Sequence, residues 1–260
     1  MSSAPIHTSA YPLIRALVPG AEAAGHMAFV HALLDGTMPG RVFADDTDRP
    51  RSAIILPDNG FCFAIGAPDE ALVAATLPGI IAQPPPEPAL LWASTGAWAA
   101  VLGRHLKEPR TRNEYHYLPM VPPPAPRLPP GFRLRPTDLE VANDPQFGKG
   151  LDPWVVRIWG GPKSFVERCF GWAVMSPEGL VAICTACSIG GGEAEVEIGT
   201  PFEYRERGLA YAAALAFVAE CGSRNLRPAW TCATGNAGSE RLAEKLGFVL
   251  FREVTGYPLN

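Results

Sequence analysis

The sequence predicts a mixed α/β fold in two halves, and its composition and proline distribution carry that prediction. Of 260 residues, 47% are hydrophobic and 18% are charged, which favours a folded core over a disordered chain. Six of the ten residues at 121–130 are proline. Because proline fixes φ and donates no backbone hydrogen bond, this stretch predicts a semi-rigid connector. We therefore expect an N-terminal domain at 1–120, a linker at 121–130 and a C-terminal domain at 131–260.

In the C-terminal half, apolar runs separated by turn residues predict an alternation of strands and helices. Thr137 and Asp138 supply N-cap chemistry for a short helix, and Gly222 and Gly247 are expected to end the two later helices. The expected strands are 132–135, 170–175, 180–189, 193–199, 229–232 and 248–255, and the other helices are 152–169 with a break at 160–162, 208–221 and 236–246.

The N-terminal half repeats the same order in a shorter form, three strands followed by helix, strand, helix and strand. This order predicts a structural duplication. Its expected elements are a helix at 21–35, strands at 41–44, 51–56 and 61–65, a helix at 69–77, a strand at 90–93, a helix at 97–106 and a strand at 113–118.

Charge and cysteine content exclude several classes of function. The formal net charge is −4, so we expect neither nucleic acid nor an anionic membrane as a partner. No apolar run is long enough for a membrane span, no secretory leader is apparent, and dispersed cysteines indicate reduced thiols in a cytoplasmic protein. No metal site is predicted, because His26 and His31 do not share a helical face and Cys184 and Cys187 alternate across a strand.

The most specific motif is Arg205-x-x-Gly208-x-Ala210, between a predicted strand and a predicted helix. Glycine lets the backbone approach a ligand closely, and a helix N-terminus binds anions through its free N–H groups and dipole. Arg205 and Arg207 add local positive charge that suits a pyrophosphate. An ordinary turn with two solvated arginines is the alternative interpretation.

A second motif, N-x-x-S-x-x-L-x-x-x-L-G-F, runs from Asn236 to Phe248. Its structural interpretation is a capped helix with Leu242 and Leu246 in the core and Gly247 as terminator. The order of the two motifs and their separation of roughly 30 residues make a joint signal that neither gives alone.

Over residues 131–260 these motifs resemble the GNAT superfamily of N-acetyltransferases, in particular a bacterial branch with an extra N-terminal domain. The resemblance implies a GNAT fold in the C-terminal half, a degenerate GNAT-like N-terminal half, and acetyl-CoA as cofactor. In that family the strand before the first motif separates from the next strand to admit the pantetheine arm. The implied cofactor-binding residues are Arg205, Glu206, Arg207, Gly208, Leu209 and Ala210 at the pyrophosphate, Ile198, Gly199 and Thr200 at the pantetheine, and Asn236 and Ser239 at the cofactor arm.

The corresponding turn of the N-terminal half, residues 66–70, has neither an arginine nor a glycine pair. We therefore expect this half not to bind coenzyme A and instead to shape the acceptor pocket.

Candidate bases follow from a row of carboxylates. Glu193, Glu195 and Glu197 alternate along one strand and so share one face, whereas all five histidines precede residue 130. The row is either a solvated face or one side of the acceptor cleft. A glutamate near this place serves the family as general base, often through water, and by resemblance Glu195 is the first candidate and Glu193 the second.

The sequence leaves several candidates for the general acid. Where the family places a tyrosine in the last helix, this sequence has Ala243. Proton donation to the leaving thiolate would then come from Ser239, Cys232, Tyr204 or water.

Aromatic residues mark the segment where the family binds its acceptor. Trp154, Trp159 and Trp172 are either helix core or walls of that pocket. Asp152 is either a helix cap or a contact for a cationic amine.

The leading functional prediction is acetyl-CoA-dependent N-acetyltransfer to a small amine by direct attack. The alternatives are a non-catalytic coenzyme A sensor or scaffold and other acyl-thioester chemistry, such as decarboxylation or transfer of a longer acyl chain. A homodimer stays open.

Overall fold

The computed structural model describes residues 4–18, 27–86, 89–147 and 159–259, which form two compact units. Unit 1 holds the chain up to Glu114 together with Thr231–Asn236 and the residues from Phe251 onward. Unit 2 holds Tyr115–Trp230 and Ala237–Leu250. Each unit therefore combines segments that are distant in sequence, whereas the predicted domains at 1–120 and 131–260 are continuous.

The strand bounds in the described residues agree closely with the sequence pattern. They are β1 (Gly40–Ala44), β2 (Ser52–Pro57), β3 (Phe61–Gly66), β4 (Leu90–Ala93), β5 (Arg110–Tyr117), β6 (Arg133–Pro136), β7 (Gly171–Ser176), β8 (Gly179–Gly190), β9 (Glu193–Gly199), β10 (Arg227–Ala233) and β11 (Phe248–Pro258).

The helices connect these strands, and two short 3₁₀ turns lie at Thr8–Ala10 and Phe202–Tyr204. The α-helices in the described residues are α1 (Tyr11–Arg15), α2 (Ala28–Leu34), α3 (Glu70–Ala82), α4 (Gly96–His105), α5 (Leu139–Ala142), α6 (Pro162–Arg168), α7 (Leu209–Ser223) and α8 (Ala237–Leu246). None of them is long and apolar enough to cross a membrane.

Unit 1 contains a sheet in the order β1-β2-β3-β4-β11. The β3–β4 pair is parallel and the others are antiparallel. Residues of α3 and α4, including Leu72 and Trp98, bury one face of this sheet together with Ile54 and Leu91. The last strand of the chain thus completes the sheet of unit 1, where Gly256–Pro258 pairs with β4.

Unit 2 contains a sheet in the order β10-β9-β8-β7-β6, in which only the β9–β10 pair is parallel. Helix α7 packs against β7 and β8. Phe217 of α7 stacks on Phe170 with ring centroids 5.0 Å apart, and Trp172 Nε1 donates a hydrogen bond of 2.6 Å to Glu220. These contacts identify the face of the sheet that α7 covers.

The mixed α/β prediction is confirmed, and so is the repeated order of elements. The first series is β1-β2-β3-α3-β4-α4-β5, and the second is β7-β8-β9-α7-β10-α8-β11. In both series two antiparallel strand pairs precede a parallel pair.

Several predicted element ends are wrong. Helix α7 continues through Gly222 to Ser223, and the left-handed residue that follows is Asn225, with a φ of 56°. The Leu226 N–H then closes the helix end with a 2.8 Å bond to the carbonyl of Cys221. Helix α3 was predicted to end at residue 77, before Pro78. It extends to Ala82, with Pro78 in its interior. The prediction of helix at 152–158 lies outside the described residues.

Candidate functional site

The turn before α7 adopts an unusual backbone conformation. Glu206 and Gly208 both lie in the left-handed region, with φ of 62° and 78°. The first bond into the helix runs from the N–H of Ala212 to the carbonyl of Gly208 at 3.1 Å, and no side chain caps the helix. The N–H groups of Leu209 and Ala210 therefore have no acceptor within the helix, and they can bind an anion.

Gly208 is required by backbone conformation alone. A Cβ added at this position would meet no heavy atom within 4 Å, so the space beside the turn is open. A residue with a side chain would be strained by the positive φ instead.

Both arginines of the turn are held by neutral groups. Arg205 Nε donates to the carbonyl of Thr200 at 3.1 Å, and Arg207 Nη2 donates to the carbonyl of Glu203 at 2.9 Å. The two guanidinium groups lie over the rings of Phe202 and Tyr204, at 5.7 Å and 5.3 Å from the ring centroids. Neither guanidinium forms an ion pair within the described residues, so both can meet an anion, although Glu203 and Glu206 belong to the same turn.

Strands β9 and β10 pair over a short distance. Within unit 2 they pair from Arg227 with Glu193 to Ala229 with Glu195, and the next residues, Trp230 and Val196, do not continue this register. Ile198 and Gly199 pair with β8 on the other edge of β9. The end of β9 and the uncapped start of α7 are thus joined by one connection. They are two of the predicted cofactor segments.

The carboxylate row lies on the face of the sheet opposite α7. Trp172, which contacts α7, pairs with Cys184, and Cys184 pairs with Ile198. Because side chains alternate along a strand, Glu193, Glu195 and Glu197 point to the other face.

Burial separates the three glutamates. Glu193 and Glu195 are each 3% exposed, and Glu197 is half-buried. The Glu193 carboxylate forms an ion pair of 2.7 Å with Arg227, its neighbour on β10. Glu195 lies opposite Ser188, whose buried hydroxyl oxygen has no hydrogen-bond partner in the described protein.

The candidate proton donors lie in different surroundings. Ser239, near the start of α8, accepts a 3.1 Å hydrogen bond from the indole N–H of Trp230. Cys232 is buried and Tyr204 is half-buried. Ala243, at the position of the family's tyrosine, is fully buried.

The remaining sequence-based candidates are distributed over both units. Asn236 belongs to unit 1, where its N–H bonds to the carbonyl of Ala233 at 3.0 Å, whereas Ser239 belongs to unit 2. Trp159 is buried and donates to the carbonyl of Ala186 at 3.2 Å, which favours the core interpretation. Trp154 and Asp152 lie outside the described residues.

Sequence reasoning missed two contributors to this region. Arg227 was not singled out, because its pairing with Glu193 depends on the register of two strands that are 34 positions apart. Phe202, which is 82% exposed beneath Arg205, was also missed, although an apolar residue so close to two arginines was a usable signal.

Comparisons with known proteins agree with this geometry. A family model described as GNAT acetyltransferase matches residues 21–257. An uncharacterized N-acetyltransferase of Bacillus subtilis (strain 168), YdfB, is 31% identical over 235 residues, which is 88% of this chain and 89% of that protein.

Solved structures share the fold at lower identity. The crystal structure of a GCN5-related N-acetyltransferase-like protein from Streptococcus suis 89/1591 has a TM-score of 0.71 at 20% identity, covering 96% of this chain and 98% of that chain. A tandem GNAT protein from the clavulanic acid biosynthesis pathway, solved without AcCoA, has a TM-score of 0.62 at 12% identity, covering 99% and 98%. The family match over most of the chain establishes the assignment: the chain belongs to the GNAT family of acetyltransferases.

Proposed function

We propose that this acetyltransferase moves an acetyl group from acetyl-CoA directly to the nitrogen of a small amine. The observation that carries the proposal is the uncapped N-terminus of α7 with two arginines that form no ion pair within the described part of the chain. An acyl carrier with a pyrophosphate fits this combination of free N–H groups and positive charge.

The cofactor-binding residues proposed from the sequence fit that carrier. The backbone of Arg205–Ala210 would hold the pyrophosphate, the main chain of Ile198–Thr200 would line the pantetheine arm, and Asn236 and Ser239 would contact that arm. When bound, acetyl-CoA supplies an acetyl group activated as a thioester. The short pairing between β9 and β10 supports a pantetheine position beside the end of β9.

Glu195 is the proposed general base. A direct attack needs a neutral amine, so a carboxylate must accept a proton from the ammonium, directly or through water. Glu193 is less suited, because its negative charge is already engaged by Arg227 at 2.7 Å. The unpartnered hydroxyl of Ser188 opposite Glu195 supports the presence of a further polar group, a water or part of a substrate, on this face.

Ser239 is the proposed donor to the leaving thiolate. Its oxygen accepts a hydrogen bond from Trp230, and an accepting hydroxyl directs its own hydrogen to another group. The buried Ala243 provides no such donor, so Ser239 or a water would replace the family's tyrosine.

Calorimetric titration with acetyl-CoA tests the cofactor site. We expect micromolar binding to the wild type and none to the double variant Arg205→Ala, Gly208→Val. The matched control is Arg133→Ala, Gly192→Val: Arg133 is exposed, and Gly192 shares the φ of 78° and the open surroundings of Gly208. Absence of binding to the wild type, or equal loss in the control, would overturn the proposed site.

Thiol release with a panel of small amines tests the reaction. We expect Glu195→Gln to lower kcat by about 100-fold, within the range for a general base, while Glu197→Gln changes it less than about threefold. All six cysteines are buried, and burial raises the pKa of Cys221 to about 12, so the protein's own thiols should react slowly with the thiol reagent.

The products distinguish the alternatives. Amine-dependent thiol release with an acetylated amine supports the proposal. Thiol release without an acetylated amine indicates other acyl-thioester chemistry, and tight binding without turnover for any amine indicates a sensor or scaffold.

A further inference from the structure

Unit 1 contains a cluster of aromatic and polar side chains that the acetyltransfer proposal does not use. We call it the Arg112 cluster: Arg112 on β5, Phe61 on β3, and Trp92 and Ser94 at the end of β4. The Arg112 guanidinium carbon lies 4.9 Å from the ring centroid of Phe61 and 5.4 Å from that of Trp92. A cation is thus held between two aromatic rings.

A glycine on the neighbouring strand makes room for this arrangement. Gly256 of β11 pairs with Trp92, and a Cβ at Gly256 would approach three ring atoms of Trp92 to 2.5–2.7 Å. Because Gly256 has no side chain, the indole can lie across β11.

Three polar atoms of the cluster have no partner. They are the indole N–H of Trp92, the hydroxyl of Ser94 and the Nε–H of Arg112, all of them buried atoms. Trp92 and Ser94 are only 3% and 4% exposed, and Ser94 follows directly after the last residue of β4. Folded proteins satisfy nearly all buried polar groups, so three unsatisfied ones in one place indicate an absent ligand.

The charge of the cluster indicates the sign of that ligand. Within the described ranges of the chain, Arg112 has no carboxylate within ion-pair distance. Its Nη2 donates a hydrogen bond to the hydroxyl of Thr231. The neighbouring Arg252 is balanced by Glu114 at 2.8 Å and donates to the carbonyl of Ser94 at 3.3 Å. One positive charge is therefore left over, which matches a monoanion.

The donor geometry selects among monoanions. Nη2 of Arg112 donates to Thr231 but has a second hydrogen, so a carboxylate can accept from the unused Nε–H and from an Nη, and the serine and indole donors also suit carboxylate oxygens. Phe61 and Arg112 are partly exposed whereas Trp92 is buried, so a ligand would approach from the side of Phe61 and Arg112.

We propose that unit 1 binds a small organic monocarboxylate, with its carboxylate on Arg112 and its apolar part against the rings of Phe61 and Trp92. All residues of the site belong to unit 1, so this inference does not depend on the proposed acetyltransfer.

Calorimetric titration of the full chain with benzoate tests the site, with neutral benzamide as the matched ligand. We expect benzoate to bind at least tenfold more tightly than benzamide, and Arg112→Gln to weaken benzoate binding at least tenfold. The control Arg110→Gln changes an exposed arginine two positions earlier on the same strand and should alter the affinity less than twofold.

Two further variants protect the test against loss of folding. Trp92→Phe keeps a ring and removes the unpartnered N–H, and Ser94→Ala removes only the hydroxyl. Each should weaken benzoate binding severalfold, with the circular dichroism spectrum unchanged. No benzoate binding to the wild type at 10 mM, equal binding of benzamide, or undiminished binding to Arg112→Gln would overturn the proposal.

Discussion

Helices α3 and α7 both follow the third strand of a β-β-β-α-β series, yet their first turns differ in one decisive respect. At α3, the side chain of Asp69 accepts a 2.9 Å hydrogen bond from the N–H of Leu72, so the helix carries its own anion. At α7, Gly208 provides no side chain. The same position in two similar series is therefore closed to an external anion in one case and open in the other.

The strand pairs beside these two helices also differ, in the length over which they stay paired. Strands β3 and β4 pair over four residues each, from Phe61 with Leu90 to Ala64 with Ala93, which is the full length of β4. Strands β9 and β10 pair over three residues, and within unit 2 Trp230 and Val196 do not continue the register. We infer that the proposed coenzyme A site needs both an uncapped helix and a strand pair that ends early, and the surroundings of α3 offer neither.

The largest expected effect comes from giving α7 the charge that α3 already has. Gly208→Asp places a carboxylate where the pyrophosphate would bind, and Gly208→Asn places a neutral side chain of the same shape there. Both residues tolerate the left-handed region, so their difference isolates the charge. We expect acetyl-CoA to bind Gly208→Asp about 30-fold more weakly than Gly208→Asn, or about 2 kcal/mol, in calorimetric titration.

Ionic strength provides the control for that pair. Because salt screens exposed charges, the difference in acetyl-CoA affinity between Gly208→Asp and Gly208→Asn should shrink when NaCl is raised from about 0.05 M to about 0.5 M. Equal affinities for the two variants at low salt would mean that the anion does not lie at this helix start.

A smaller effect is expected from the reverse change, removal of the cap of α3. Asp69→Ala should lower the free energy of unfolding by about 1 kcal/mol in urea denaturation, because the N–H of Leu72 loses its acceptor. Thr95→Ala, which removes the cap of α4 from the N–H of Trp98, is the matched control and should cost a similar amount.

Asp69→Ala should not create a cofactor site. No arginine lies in the turn at 66–70, and β3 and β4 stay paired. The stoichiometry of acetyl-CoA binding should therefore remain one per chain, and a second binding event would contradict the requirement for an early end to strand pairing.

Local patterns predicted most of the fold. The strand Leu90–Ala93 has the predicted bounds, and Asp138 caps its short helix by accepting from the N–H of Val141. The place of β11 beside β4 was not predictable, because pairing between residues 90–92 and 256–258 leaves no local signal. The short helix α1 was missed for a related reason, since five residues are too few to show a helical period.

The functional candidates show the same difference between local and long-range signals. Arg205 and Gly208 were singled out as candidates because the motif is contiguous, and the positive φ of Gly208 agrees with the backbone requirement that its residue type indicates. The Arg112 cluster was not found, because it joins residues of three separate strands. Contacts set by the register of distant strands need the fold, whereas a contiguous turn motif depends on neighbouring residues alone.

The smallest expected effect concerns glycines within the two helices. Gly79 in α3 and Gly222 in α7 both have open space around an added Cβ. Because glycine costs a helix interior roughly 0.5–1 kcal/mol relative to alanine, Gly79→Ala and Gly222→Ala should each raise the free energy of unfolding, by about 0.8 and about 0.5 kcal/mol. Gly222 should give the smaller gain because it lies one residue from the helix end.

The sign of the Gly222 effect decides between two helix ends. If Gly222 were left-handed and ended α7, as its sequence context predicts, alanine would destabilise the protein instead. Gly235→Ala is the matched control, because Gly235 has a φ of 86° and equally open surroundings, and it should lose about 1 kcal/mol. A gain at Gly222 together with a loss at Gly235 would show that α7 continues past the glycine and leaves the left-handed conformation to Asn225.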